Sequence, residues 1–201
     1  MKLSKIQKSL AVMTAMIVCI AMLAGCGAEK KKFVNIATGG TAGTYYPLGN
    51  AMADILNKNI TGMTSSAQST GASVANINML KDDKVDIGFV QSDIAYYAMT
   101  GTEMFEGKQV KNLQGIATLY PETVQIVTSA EDGITSISQL KGKRVAIGTA
   151  GSGVEANARQ ILALYGLTYD DIDEQYLSFS EAANGLQDGN IDAAFLTAGY
   201  P

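Results

Sequence analysis

Two short runs carry most of the chemistry open to this chain. Gly39-Gly40-Thr41-Ala42-Gly43-Thr44-Tyr45 follows one apolar stretch, and Gly148-Thr149-Ala150-Gly151-Ser152-Gly153 follows another. Where a strand ends in such a run and opens a helix, several backbone N–H groups stay unpaired beside the positive end of the helix dipole. That makes a seat for an anion. Gly40, Gly43, Gly148, Gly151 and Gly153 keep side chains out of a ligand's way, while Thr41, Thr44, Thr149 and Ser152 add hydroxyls. One helix terminus contributes about 0.3–1 kcal/mol when exposed and up to about 2 when partly buried. Micromolar binding needs about 8.2 kcal/mol, so two seats must face one another over a water-excluding cleft, with hydroxyl and aromatic contacts added.

The missing residue types exclude other chemistry. There is no His and no Trp, which removes Ser-His-Asp triads, Cys-His dyads and imidazole metal sites. Of the two cysteines, Cys19 lies in an apolar leader, so the processed chain keeps Cys26 alone and forms no internal disulfide. Neither a metal nor a cofactor is expected. Gly148 and Gly153 have the outer spacing of a phosphate loop, but Val154-Glu155 stands where Lys and Ser/Thr are needed. Gly151-Ser152-Gly153-Val154-Glu155-Ala156 satisfies a dinucleotide pattern, with Asp170, Asp171 and Asp173 further on. Those acids follow what reads as a helix exit loop, whereas a ribose-binding acid belongs at the end of the next strand. The chain therefore reads as a binding protein and not an enzyme. Its rivals are a secreted α/β enzyme acting on a small anion through Asp93 or Glu155, and a sensory ligand-binding module.

The 201 residues, 47% hydrophobic and 17% charged, suit a packed globular body. Lys2, Lys5 and Lys8 precede an apolar stretch over 10–24 that is short for a membrane span. Leu23-Ala24-Gly25-Cys26 then resembles the bacterial lipoprotein signal, with cleavage before Cys26 and acylation of that residue. This places the body on the outer face of the cytoplasmic membrane, lipid-anchored through a tether over 26–32. Removing 1–25 leaves 12 basic against 19 acidic residues, a charge of −7, which argues against nucleic acid.

An internal echo organises the rest. The block ending in Gly40-Thr41-Ala42-Gly43-Thr44 returns 108 residues later as Gly148-Thr149-Ala150-Gly151-Ser152. Leu80-Lys81-Asp82-Asp83-Lys84-Val85-Asp86-Ile87-Gly88-Phe89 returns 106 residues later as Leu186-Gln187-Asp188-Gly189-Asn190-Ile191-Asp192-Ala193-Ala194-Phe195, with Asn78 and Asn184 in register. Apolar and amphipathic runs alternate in each half, predicting an α/β protein with parallel strands covered by helices. The first half reads as strand 34–38, helix 46–59, strand 64–69, helix 73–81 and strand 86–91. The second reads as strand 144–148, helix 154–165, strand 175–178, helix 181–187 and strand 192–197. Strands over 113–120 and 124–128 join the halves. The expected division is signal 1–25, tether 26–32, lobe one 33–120, hinge 121–123 and lobe two 124–201.

The run from Gly39 to Gly49, with Tyr45-Tyr46-Pro47-Leu48 inside it, resembles the N-terminal signature of the TAXI family, the substrate-binding proteins of TRAP transporters. Lys141-Gly142-Lys143-Arg144-Val145, the run from Gly151 to Leu162, Leu177-Ser178-Phe179-Ser180-Glu181 and the run from Asp192 to Gly199 are similar to later blocks of that family. The resemblance implies a periplasmic-binding-protein type II-like fold, here truncated in lobe two, since family members are longer. It also implies a monomeric receptor that captures a small carboxylate, glutamate or 2-oxoglutarate-like, and delivers it to a TRAP permease.

On this reading the ligand touches Thr41, Ala42, Gly43, Thr44, Tyr45, Gln91, Ser92 and Tyr120 from lobe one and the hinge. From lobe two it meets Gly151, Ser152, Gly153, Asn157 and Thr197. Ser92 also suits a helix N-cap. Arg159 lies two turns along its helix and pairs with a nearby acid, leaving little scope for an arginine clamp.

Overall fold

The computed structural model describes residues 32–199. The leader, Cys26 and the tether through residue 31 lie outside them.

Strand β1 (Lys32–Ala37) runs into the first glycine-rich turn and helix α1 (Tyr45–Asn59). Pro47 stands in the first turn of α1, where a missing N–H costs nothing. Strand β2 (Met63–Gln68), helix α2 (Ser73–Lys81), the short β3 (Ile87–Gly88) and helix α3 (Ser92–Thr100) complete the first half. These strands form a sheet of order β2-β1-β3. The second half holds β4 (Gln125–Thr128), β5 (Arg144–Ala146), α4 (Gly153–Leu164), β6 (Asp173–Gln175), α5 (Phe179–Gln187) and β7 (Ala193–Leu196). Its sheet order is β4-β7-β5-β6, with β5 parallel to β6 and β7 and β4 antiparallel to β7.

Within the second sheet, β6-β5-β7 reproduces the order β2-β1-β3 of the first, so the sequence echo is a structural repeat. Register carries the likeness further. Ile36 pairs with Ile87 as Val145 pairs with Ala193. The Asp86 carboxylate accepts the Asn35 N–H at 2.8 Å, and the Asp192 carboxylate accepts the Arg144 N–H at 2.7 Å. Each aspartate thus ties its half's central strand to the strand beside it.

Apolar clusters fill both halves. Val34, Ile36, Ala53 and Phe89 pack in the first, and Leu140, Val145, Ile147, Val154, Leu162 and Phe195 in the second. A third cluster joins them, because Ala156 of α4 packs with Ile77 of α2 and Ile94 and Ala98 of α3. Where β1 and β3 end, fully buried Asn76 donates to Thr38 O at 2.6 Å and Phe89 O at 2.7 Å and accepts from Thr70 Oγ1 at 2.6 Å. That network satisfies polar groups which would otherwise be stranded in the core.

Three expected strands differ. Residues 113–120 form no strand, and Ile116 is 80% exposed there, so its apolar side chain has no sheet face to cover. The strand expected over 175–178 ends at Gln175, because Ser178 is the N-cap of α5: its hydroxyl accepts from Glu181 N, and Glu181 accepts from Ser178 N at 2.8 Å. The strand expected over 86–91 is regular only at Ile87–Gly88, although Asp86 N and Phe89 N still donate to Asn35 O and Ala37 O.

Candidate functional site

Both glycine-rich turns open onto one cleft. A cavity of about 60 Å³ there is lined by Gly39, Gly40, Ala42, Gly43, Thr44 and Tyr45 from the first turn and by Thr149, Ser152, Gly153 and Val154 from the second. Ala72, Gln91, Tyr120, Glu122, Leu177, Ser178, Phe179 and Thr197 close it. The geometry follows from the backbone. Gly148 holds φ +93°, and a Cβ there would lie 2.9 Å from Ser152 Oγ and from Val154 Cβ, so only glycine lets β5 turn into α4 this tightly. A Cβ on Gly43 would face the Phe179 ring of α5 at 3.7 Å, whereas Gly40 faces open space.

The donors are available. The N–H groups of Ala42, Thr44 and Tyr45 at the start of α1, and of Gly153 and Val154 at the start of α4, have no hydrogen-bond acceptor among the described residues. Ser152 caps α4, accepting from Glu155 N at 3.1 Å. A third terminus is already filled: Val74 N and Ala75 N of α2 both donate to Gly151 O at 3.1 Å, so one half's backbone carbonyl occupies the other half's helix end. Further bonds fasten the halves, from Thr44 Oγ1 to Ala198 O (2.9 Å) and from Gln91 Nε2 to Asn157 Oδ1 (2.7 Å). Asn157 Nδ2 in turn donates to Asp93 Oδ2 at 2.7 Å.

The cavity's charge is negative. Glu122 sits in its wall with each oxygen accepting one phenol, Tyr45 OH at 2.8 Å and Tyr120 OH at 3.1 Å. Burial pushes the Glu122 carboxyl above its ordinary range and Asp93 adds to that, while the two phenols pull it back. Burial and then the neighbouring Glu122 push both Tyr45 and Tyr120 well above the usual phenol range, so they remain donors. Among the described residues no Lys or Arg lines the cavity.

Of the expected contacts, the structure brings Ala42, Gly43, Thr44, Tyr45, Gln91, Tyr120, Ser152, Gly153 and Thr197 to the cavity. Thr41, Ser92, Gly151 and Asn157 are not among its lining residues. Gly151 spends its carbonyl on α2. Asn157 spends its amide on Gln91 and Asp93. Ser92 is exposed as the first residue of α3, with Gln91 in the N-cap position. Both arginines are engaged, Arg159 with Glu155 at 3.0 Å and Arg144 with Asp192 at 2.6 Å. Asp93 and Glu155, the acids of the enzyme alternative, do not line the cavity. In the dinucleotide alternative, Asp171 caps a short turn and meets Lys141 at 2.9 Å, away from a strand's carboxyl end. The expected contacts leave out the charged lining residue Glu122, along with apolar Leu177 and Phe179; the one signal for Glu122 is an acid beside Tyr120 where the chain passes between the halves.

The model of the NMT1-like family matches residues 36–201. Among solved structures, the alkanesulfonate-binding protein SsuA from Xanthomonas axonopodis pv. citri, bound to MOPS, is 19% identical with a TM-score of 0.57, covering 85% of this chain and 56% of that one. The aliphatic sulphonate-binding SsuA from Escherichia coli is 20% identical, with TM-score 0.50 and coverage of 83% and 54%. An ABC uptake transporter substrate-binding protein from Streptococcus pneumoniae with bound histidine is 18% identical, with TM-score 0.53 and coverage of 86% and 70%. The chain thus spans about half the length of the sulfonate-binding proteins it matches. Its fold is that of type II periplasmic binding proteins, and these neighbours are solute-binding proteins, not enzymes.

Proposed function

This chain belongs to the NMT1-like family, and from that membership and the cleft geometry we propose that it is the extracytoplasmic solute-binding receptor of a membrane transporter. One observation carries the reading: two repeat-related glycine turns, from opposite halves, line the same cavity with unpaired N–H groups. The ligand is a small acid whose anionic end lies on those groups, glutamate or 2-oxoglutarate-like. Thr44, Gln91, Ser152 and Thr197 supply further polar contacts, and Phe179 and Leu177 supply apolar wall.

Residues 33–120 and 124–201 act as two lobes and 121–123 as their hinge. Because residues of both halves line the cavity, the solute enters when the lobes part and is enclosed when they meet. Lipidation at Cys26 keeps the receptor at the outer face of the membrane. The likeness to TAXI signatures favours delivery to a TRAP permease. The pneumococcal neighbour, an ABC uptake component, supports the alternative of an ATP-driven partner. The sulfonate-binding neighbours support trying sulfonates beside carboxylates.

Thermal-shift screening of the purified chain against organic acids, amino acids and sulfonates tests the receptor reading. A ligand at 100 times its Kd stabilises the fold by about 2.7 kcal/mol, a clear rise in Tm. A flat response across all three classes would refute it. Uptake in vesicles carrying each candidate permease separates the partners: collapse of the ion gradient stops TRAP transport, and ATP depletion stops ABC transport.

A further inference from the structure

The acid end of the ligand leaves Glu122 unexplained. Among the described residues it is the one carboxylate in the cavity wall and no cationic side chain lines the cavity, while both arginines are committed elsewhere. Asp93 on α3 adds negative charge nearby. Closing the cleft over a plain dicarboxylate would bring two more negative charges near Glu122 with only the N–H groups of the turns to meet them, which is unfavourable away from bulk water.

We propose that Glu122, held by Tyr45 and Tyr120, is the seat of a ligand ammonium group, so the solute is a zwitterion: an amino acid, or an amino sulfonate with the same pairing of charges. The inference rests on the receptor reading and narrows it. An ionised carboxylate offers about four acceptor positions; the phenols take one on each oxygen, leaving a second on each. An ammonium has three donors and can span both oxygens. The phenols orient the carboxylate before the ligand arrives, a positioning role, and burial keeps them protonated. The ligand's negative end then lies toward the glycine turns, whose N–H groups accept carboxylate and sulfonate alike.

Calorimetry with matched pairs tests this. L-glutamate is compared with 2-oxoglutarate, L-alanine with pyruvate, and 2-aminoethanesulfonate with 2-hydroxyethanesulfonate, each pair differing at the nitrogen. In the parent chain the amino member of the bound pair should bind at least about tenfold tighter, as expected for a charge-assisted hydrogen bond. Glu122→Gln should collapse that preference to within about threefold, and Tyr120→Phe should leave its direction unchanged. Because the ammonium needs ionised Glu122, the preference should also shrink as pH falls from 8 to 5, with Tyr45, Tyr120 and Asp93 the ionisable groups facing it. Equal or tighter binding of the oxo or hydroxy member by the parent chain overturns the ammonium seat and leaves the receptor standing. Failure of every acid to bind overturns the receptor itself.

Discussion

Asn157 is the most direct handle on whether the two halves are latched or merely adjacent. From α4 it accepts from Gln91 and donates to Asp93, both at the start of α3, at 2.7 Å each. Asn157→Ala removes one neutral hydrogen bond, worth about 0.5–1.5 kcal/mol net, and one to a charged group, worth about 1.5–3. The closed arrangement should therefore lose about 2–4 kcal/mol, a shift of roughly 30- to 1000-fold in the ratio of closed to open molecules. Parting the halves also lets Gln91 and Asp93 regain water, so opening is the relaxed response to the mutation. Small-angle X-ray scattering of the ligand-free chain should show a larger radius of gyration for Asn157→Ala and a smaller increase for Gln91→Ala, which loses only the neutral bond. The backbone contact of Gly151 O with α2 survives in both variants. If the radius stays at the parent value while urea unfolding shows the whole 2–4 kcal/mol lost, the pair is ordinary packing within one folding unit and the latch argument fails.

Asn76→Ala strands Phe89 O in the core, whereas Thr38 O keeps the Thr70 hydroxyl as donor at 2.9 Å, and at about 1–3 kcal/mol for one unsatisfied group urea unfolding should show a loss of at least about 1 kcal/mol; a smaller loss would mean water reaches the site. Gly148→Ala forces a Cβ onto a φ of +93° and should cost about 1–3 kcal/mol, weakening ligand binding with it, whereas Gly40→Ala, facing open space, should leave stability unchanged. Glu122→Gln should melt higher than the parent above neutral pH. The folded pKa of Glu122 is raised, so its contribution favours the fold below that pKa and is lost as pH rises through it; calorimetry should find the gap closing toward about pH 4. A constant gap across that range would refute the titration of Glu122 as its cause.

Much of the architecture was legible because it depends on local patterning and on repetition. Alternating apolar runs announced the central strands, Ser73–Lys81 was placed to the residue, and the repeated blocks announced two similar α/β halves, whose sheets share the order β2-β1-β3 and β6-β5-β7. The failures arose where tertiary context overrides local pattern. Residues 113–120 carry a strand-like composition, yet Ile116 and Leu119 face solvent because no neighbouring strand offers them a surface. In 175–178 the strand propensity of Tyr176 and Leu177 yielded to the capping box of Ser178 and Glu181.

The site was legible in its backbone and illegible in its charge. A glycine turn advertises itself because few residues tolerate what the turn requires, and Gly148 with its positive φ is such a case. Repetition of the turn shows that two seats exist, but it cannot show how each is spent. The α2 terminus proves the point, since a carbonyl from Gly151 fills it and turns a potential anion seat into a clasp between halves. Asn157, expected at the ligand from its place on the helix that follows Ser152, spends its amide on the clasp. Glu122 lies outside the repeat, on the connection between halves, so no echo marks it. Its meaning comes only from what surrounds it: two phenols that satisfy it in part, a wall without Lys or Arg among the described residues, and turns whose unpaired N–H groups suit the negative end of a solute. A cleft built to hold a bare anion would gain nothing from a carboxylate in its wall. One built to hold a zwitterion needs that carboxylate, because among the described lining residues it is the anionic group able to meet the positive end.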